Sequence, residues 1–259
     1  MWDHGIILVA HPSEARLCQN TVNEKSRAGQ KFPGSIIDLP LSRTYKDRCV
    51  SKITEKNMPD KGLEIILDHS RQGAAAREKF FAAQAETLVH VAKIASASLV
   101  EGGKLMFCGN GGSAADAQHL TAEFVNRFMM ERPPLPALAL TTDTSVLTSI
   151  GNDYSFDRIF SKQVRALGRE GDVLFCISTS GNSSNLTRAL IRAREMKIIT
   201  VGFAGKNGGE MKNHCDHLLL VDHKSTPLIQ EIQITAGHLL CRLVDYYLFE
   251  AVDELKPYL

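Results

Sequence analysis

The chain has 259 residues, 44% of them hydrophobic, enough for one large core with a small appendage. Its 30 basic and 29 acidic residues leave a formal charge of +1, so no global basic field recommends nucleic acid as a partner, and no apolar run has the length of a membrane span. None of the six cysteines forms a CxxC pair, and Cys108 and Cys176 lie in apolar runs where a thiol acts as a small hydrophobe, so a reducing cytoplasm is expected rather than a disulfide framework.

Residues 1 to 58 differ in texture from the rest. GIILVA and SIIDLP read as strands, but the segment is polar and broken by Pro12, Pro33, Gly34 and Pro40, which predicts an appended arm. Ile7 to Ala10 is too short for a signal peptide, and the mixed-charge run RTYKDRCVSKITEK reads as a solvated surface. From Gly62 to about Leu99 the spacing of Leu63, Ile66, Phe80, Leu88, Val91 and Ile94 predicts one or two amphipathic helices. His69 and His90 have no acidic or histidine partner at i+3 or i+4 and read as surface or packed histidines.

The stretch KLMFCGNGGSAADAQHLTAEFVNR, from Lys104 to Arg127, predicts a buried strand over Leu105 to Cys108, a glycine turn, and a helix capped by Ser113. Glycines at such a junction let backbone amides approach an anion, which the helix N-terminus also attracts. The helix carries His119 and Glu123 four residues apart, on one face. Strands and helices then alternate, which predicts a parallel sheet with right-handed crossovers. The expected strands are ALALTT, VLFCIST, IITVGFAG and HLLLV. The expected helices are Asp143 to Ile150, Tyr154 to Leu167, Ser183 to Met196 and about Pro227 to Val252, with the turn Gly151, Asn152, Asp153 between the first two and Thr226 capping the last. That last helix is apolar over more than one face and is expected to bury itself in a core or another subunit.

A second turn, Ile177 to Ser184, brings five hydroxyls and several amides together without the lysine of a P-loop, which suits a sugar phosphate better than a nucleoside triphosphate. Two such turns at the carboxyl ends of strands are the expected place for a ligand crevice. On the last helix Gln230 and His238 share a broad face; if it meets His119 and Glu123, the four form a nitrogen and oxygen cluster suited to zinc.

The runs CGNGGSAADAQHLTAEFVNRF, TTDTSVLTSIGNDYSFDRIFSKQVRALGREGDVLFCISTSGNS and IQEIQITAGHLL closely resemble the phosphoheptose isomerases of the sugar isomerase (SIS) domain superfamily, over roughly residues 60 to 252. The resemblance implies an α/β class fold: a three-layer α/β/α sandwich around a five-stranded parallel sheet, with N-terminal helices. It implies a homotetramer and conversion of sedoheptulose 7-phosphate to D-glycero-D-manno-heptose 7-phosphate, which begins the ADP-heptose pathway to lipopolysaccharide. Substrate positions fall on Asn110, Gly111, Gly112, Ser113, Glu123, Asn152, Asp153, Ser178, Thr179, Ser180, Ser183 and Gln230. Metal positions for one zinc per subunit fall on His119, Glu123, Gln230 and His238. One departure is Leu228, where the family often has Arg. Isomerisation through a cis-enediol would use Glu123 as base and His238 as acid or proton shuttle, with the ion polarising the oxygens. The alternative is a non-catalytic tetrameric SIS adaptor that binds the replication initiator DnaA; Glu123 and His238, which that adaptor lacks, favour the enzyme. No nucleic acid or membrane partner is expected.

Overall fold

The computed structural model describes residues 60–259, which form one compact unit, and the expected arm over residues 1 to 58 lies outside them. A 40-residue helix, α1 (Lys61–Val100), opens it as a single element; Asp60 caps it by accepting a hydrogen bond from the Gly62 amide at 2.9 Å. At 1.5 Å per residue it is about 60 Å long. Only its second half is submerged, through Phe80, Leu88, Val91, Ala92 and Ala95, while Leu63, Ile65, Ile66 and Leu67 stand exposed.

The chain then alternates as expected through β1 (Leu105–Gly109), α2 (Gly112–Val125), β2 (Ala137–Ala139), α3 (Thr144–Asp153), α4 (Ile159–Leu167), β3 (Val173–Ser178), α5 (Ser184–Glu195), β4 (Ile199–Gly205), β5 (His217–Val221) and α6 (Thr226–Phe249). The five strands form one parallel sheet in the order β2-β1-β3-β4-β5. Alternate residues on each strand face opposite layers, as the pleat requires. Leu105, Phe107, Val173, Phe175, Ile177, Val201 and Phe203 pack under α1, α2 and α6, with the Phe107 and Phe175 rings stacked at 4.8 Å. Met106, Cys108, Leu174 and Cys176 point the other way, against α4 and α5. Burial on both sides is why these strands read as continuous apolar runs.

Cys108 and Cys176 sit directly opposite each other on neighbouring strands, with sulfurs 3.3 Å apart and unbonded. Burial pushes the Cys176 thiol well above its ordinary pKa, and the adjacent Cys108 adds to this, which keeps the Cys176 thiol protonated and inert.

Several boundaries differ from those expected. Ser113 does not cap α2: the cap position is Gly111, at φ 56, and Ser113 is buried inside the first turn. Likewise Ser225 holds the cap position of α6, with Thr226 the first helical residue. The second strand is shorter, ending at Ala139. Gly151, Asn152 and Asp153 are the last turn of α3 rather than a break, because the chain leaves the helix only at Tyr154. The segment expected as one helix from Tyr154 begins instead with a 3-10 turn, Phe156–Arg158, before α4.

Candidate active site

Strand order places the site. From β1 the chain steps outward to β2, and from β3 it steps the opposite way to β4 and β5, so the loops after β1 and β3 diverge at a topological switch point. A reciprocal amide pair ties the two sides: Asn110 donates to Asn185 at 3.0 Å and Asn185 donates back at 2.8 Å. Asn110 therefore uses one donor and one acceptor of its side chain as a strut, with the second Nδ2 hydrogen and the backbone left for a ligand. Asn185, buried at the start of α5, is a residue that motif reading passed over.

The loop after β3 is folded around Gly181, at φ 69, in a conformation that favours glycine. Ser178 is buried and accepts a hydrogen bond from the Gly181 amide at 3.0 Å, so its hydroxyl shapes the loop. Thr179, Ser180 and Ser183 are only partly covered; Ser183 sits at the cap position of α5 with its side chain making no cap bond. Ser180 Oγ accepts from the Asn182 amide at 3.2 Å, so its hydrogen, the Thr179 and Ser183 hydroxyls and the first-turn amides of α5 remain for an anion, the arrangement that suits a phosphate.

The polar cluster lies where α2 meets α6. Asp116, His119 and Glu123 occupy positions i, i+3 and i+7 on α2 and so share one face. Gly237 lets α6 approach that face: a Cβ there would come within 2.6 Å of Leu120 Cδ2. The next residue on α6, His238, consequently reaches α2, and its Nε2 lies 2.8 Å from His119 Nε2, with the rings edge to face. Glu123 Oε1 is 3.6 Å from the same His119 nitrogen. Phe128 stacks on the His238 ring at 5.6 Å. Burial lowers the His238 pKa, and the charge of His119 lowers it further, which favours the neutral ring at pH 7. One imidazole then donates its Nε2 proton to the other, and which of them holds it sets the pair's tautomers. Replacing Gly237 with Val is expected to cost about 1–3 kcal/mol, the usual range for overpacking, and to lower turnover by pushing His238 away. Thermal unfolding of the variant beside its kinetics checks this; a stable variant with normal turnover refutes the close-approach argument.

Gln230 completes the group. Its amide lies against Gly112, where a Cβ would come within 2.7 Å of Oε1, and Nε2 donates to Asp116 Oδ2 at 3.1 Å. The donor end is thereby fixed, leaving Oε1 as the end presented to a ligand. Asp116, raised in pKa by desolvation with Gln230 pulling it back, is a further residue that sequence reading missed. Its position three residues before His119 was the available signal. Asp116→Ala is expected to lower kcat/KM by roughly 10–100-fold, the cost typical of a residue that orients a site group, while Asp116→Asn, which retains an acceptor oxygen, loses less. Steady-state kinetics of both variants checks the order.

The donor chemistry fits zinc: two imidazole nitrogens, a carboxylate and an amide oxygen facing one another across two helices. Among the described residues no three His, Cys, Asp or Glu side chains are grouped closely enough to hold an ion, and His119 and His238 hydrogen-bond to each other through Nε2. Asn152 and Asp153 are exposed at the end of α3 and bond to each other at 3.0 Å, and among the described residues they make no hydrogen bond to this cluster. Gly111 and Gly112 are exposed on the first loop, Ser113 buried behind them. Leu228, the departure from the family pattern, is buried and packs near Gly73 of α1.

His69 has a partner far away in sequence, Glu231 of α6 at 2.9 Å, and His90 meets Tyr258 at 3.0 Å, so both serve packing between elements. No helix among the described residues is long and apolar enough to cross a membrane.

Residues 69–205 match the family model described as SIS domain. A phosphoheptose isomerase from Nitratidesulfovibrio vulgaris (strain Miyazaki F) is 60% identical over 202 residues, covering 78% of this chain and 97% of that one. A counterpart from Desulfovibrio desulfuricans is 61% identical over 78% of this chain and 96% of its own. Among solved structures, phosphoheptose isomerase from Neisseria gonorrhoeae matches with a TM-score of 0.67 at 45% identity over 71% of this chain and 98% of that one. The enzyme from Francisella tularensis gives 0.70 at 38% identity over 72% and 99%. None of this supports the alternative of an adaptor for DnaA. With Glu123 and both histidines gathered between two helices that flank a five-stranded parallel sheet, and likeness of this extent, the chain belongs to the phosphoheptose isomerases, enzymes built on the SIS domain.

Proposed function

We propose that the protein converts sedoheptulose 7-phosphate to D-glycero-D-manno-heptose 7-phosphate, the entry step to ADP-heptose, in the cytoplasm. The observation that carries this is the pairing of Glu123 with the His119 and His238 imidazoles across two helices, in a fold that also carries an open hydroxyl loop after β3. Thr179, Ser180 and Ser183, with the α5 amides, hold the 7-phosphate, and that anchor fixes the reacting end by distance. Glu123 removes the proton from C1 and returns it at C2 of the cis-enediol. His238, neutral and hydrogen-bonded to His119, moves the proton between O1 and O2. Gln230, braced by Asp116, orients a sugar hydroxyl through Oε1. His119, Glu123, Gln230 and His238 would hold a zinc ion, which when bound supplies a positive charge beside the enediolate oxygens.

Assembly follows from two surfaces. Phe81, Leu88, Val89, Leu239, Leu243 and Tyr246 line an apolar groove of about 480 Å³ between α1 and α6, and Leu63 to Leu67 continue the apolar surface of α1. Both are the kind of face that other copies cover in a homotetramer.

Incubation of the purified protein with sedoheptulose 7-phosphate, following aldose formation with and without a chelator, is the direct test. Turnover that the chelator suppresses and zinc restores is expected. No turnover with zinc present would overturn the assignment.

A further inference from the structure

A second site, unconnected with the isomerase cluster, lies on the outer layer. α4 and its preceding turn carry Arg158, Lys162 and Arg165 at i, i+4 and i+7, and α5 carries Arg188, Arg192 and Glu195 at the same spacing. Each set makes one helical stripe. The two stripes face one another across a groove of about 370 Å³. Five cations therefore line a cleft that holds one carboxylate, in a chain whose net charge is only +1.

Internal partners neutralise part of this charge. Arg192 pairs with Glu195 at 2.6 Å, and Arg188 is 4.0 Å from Asp157, whose other oxygen accepts from the Ser184 hydroxyl. Lys162 rests over the Tyr154 ring at 3.2 Å. Among the described residues Arg158 and Arg165 have no carboxylate within 4.0 Å. Like charges gathered this way repel one another unless an anion joins them, and guanidinium forks match phosphate oxygens two at a time.

We propose that this groove binds the phosphate chain of an oligophosphate, such as a nucleoside triphosphate or inorganic tripolyphosphate. The volume falls in the range of small-ligand sites, ~300–1,000 Å³. Among the described residues Ile191 is the one apolar side chain lining it and no aromatic ring does, so recognition rests on the phosphates. The groove begins at Arg188, about 6 Å along α5 from Ser184, and runs away from the hydroxyl loop to Arg192, about 12 Å from Ser184.

Calorimetric titration of the full chain at 0.15 M salt tests it with four probes. Tripolyphosphate and ATP are expected to bind within threefold of each other, and AMP and orthophosphate at least tenfold more weakly. Arg158→Glu with Arg165→Glu is expected to weaken tripolyphosphate at least tenfold while kcat/KM for the isomerisation, measured without oligophosphate, is unchanged; Arg158→Gln with Arg165→Gln gives the same direction without reversed charge. Ser180→Ala should leave tripolyphosphate binding intact. Absence of saturable binding, a strong preference for ATP over tripolyphosphate, or full affinity in both double variants overturns the proposal. So does displacement of tripolyphosphate by duplex DNA at lower phosphate concentration, since the groove would then serve a nucleic acid backbone.

Discussion

Glu123→Gln is expected to lower kcat by at least ~10²–10⁴-fold, the contribution of one positioned acid or base. The amide keeps the size and hydrogen-bonding reach of the carboxylate but cannot accept the C1 proton, so KM should change far less than kcat. The environment favours a clean result. Glu123 Oε1 stands 3.6 Å from His119 Nε2, and the residue's main-chain carbonyl is held separately at 2.9 Å by Arg132. Replacing the side chain head therefore leaves the helix in place, and thermal unfolding should be almost unaltered. Because Glu123 is also proposed to touch zinc, kcat is to be read at saturating zinc; near-normal turnover there would remove Glu123 as the base.

Arg132→Met is expected to have the largest effect on stability, about 3–5 kcal/mol, the range found when one member of a buried ion pair is removed. Arg132 and Asp245 are both buried, with Nε and Oδ1 2.7 Å apart. The guanidinium also donates to the carbonyls of Phe124 at 2.8 Å, Glu123 at 2.9 Å and Pro133 at 3.1 Å, which closes the end of α2 and links it to α6. Methionine would leave Asp245 charged and alone, a group whose pKa desolvation already raises against the pull of Arg132. The carbonyls would lose their donors as well. Denaturant unfolding gives the value. A double variant, Arg132→Met with Asp245→Leu, should recover part of the loss, since no lone buried charge remains. A double variant as unstable as the single one would show that the pair's charges are not what matters.

What was legible in the sequence followed the strength of local pattern. The strands around Phe107 and Phe175 announced themselves because burial on both faces makes their sequence uniformly apolar, and the glycines after them marked the loops. His119 and Glu123 were visible as a pair because a helix fixes i and i+4 on one side. Their meeting with His238, 119 positions from His119, was open at that level, since it depends on Gly237 packing on Leu120. Arg132 gave no signal: it lies in an irregular stretch of prolines, and its partner Asp245 is 113 residues away on a helix whose polar positions looked incidental. The His69 link to Glu231 has the same character, because helical spacing reveals only neighbours on one helix and Glu231 is 162 positions away. The exchange of bonds between Asn110 and Asn185 likewise joins two loops that no single motif spans.

His238 and Gln230 sit on α6, the same helix that covers one face of the sheet through Ile229, Ile232, Ala236, Leu240 and Val244. Completing that half of the core and bringing the last two polar groups to α2 are therefore one event, so a change that loosens the helix from the sheet would be felt at the cluster as well.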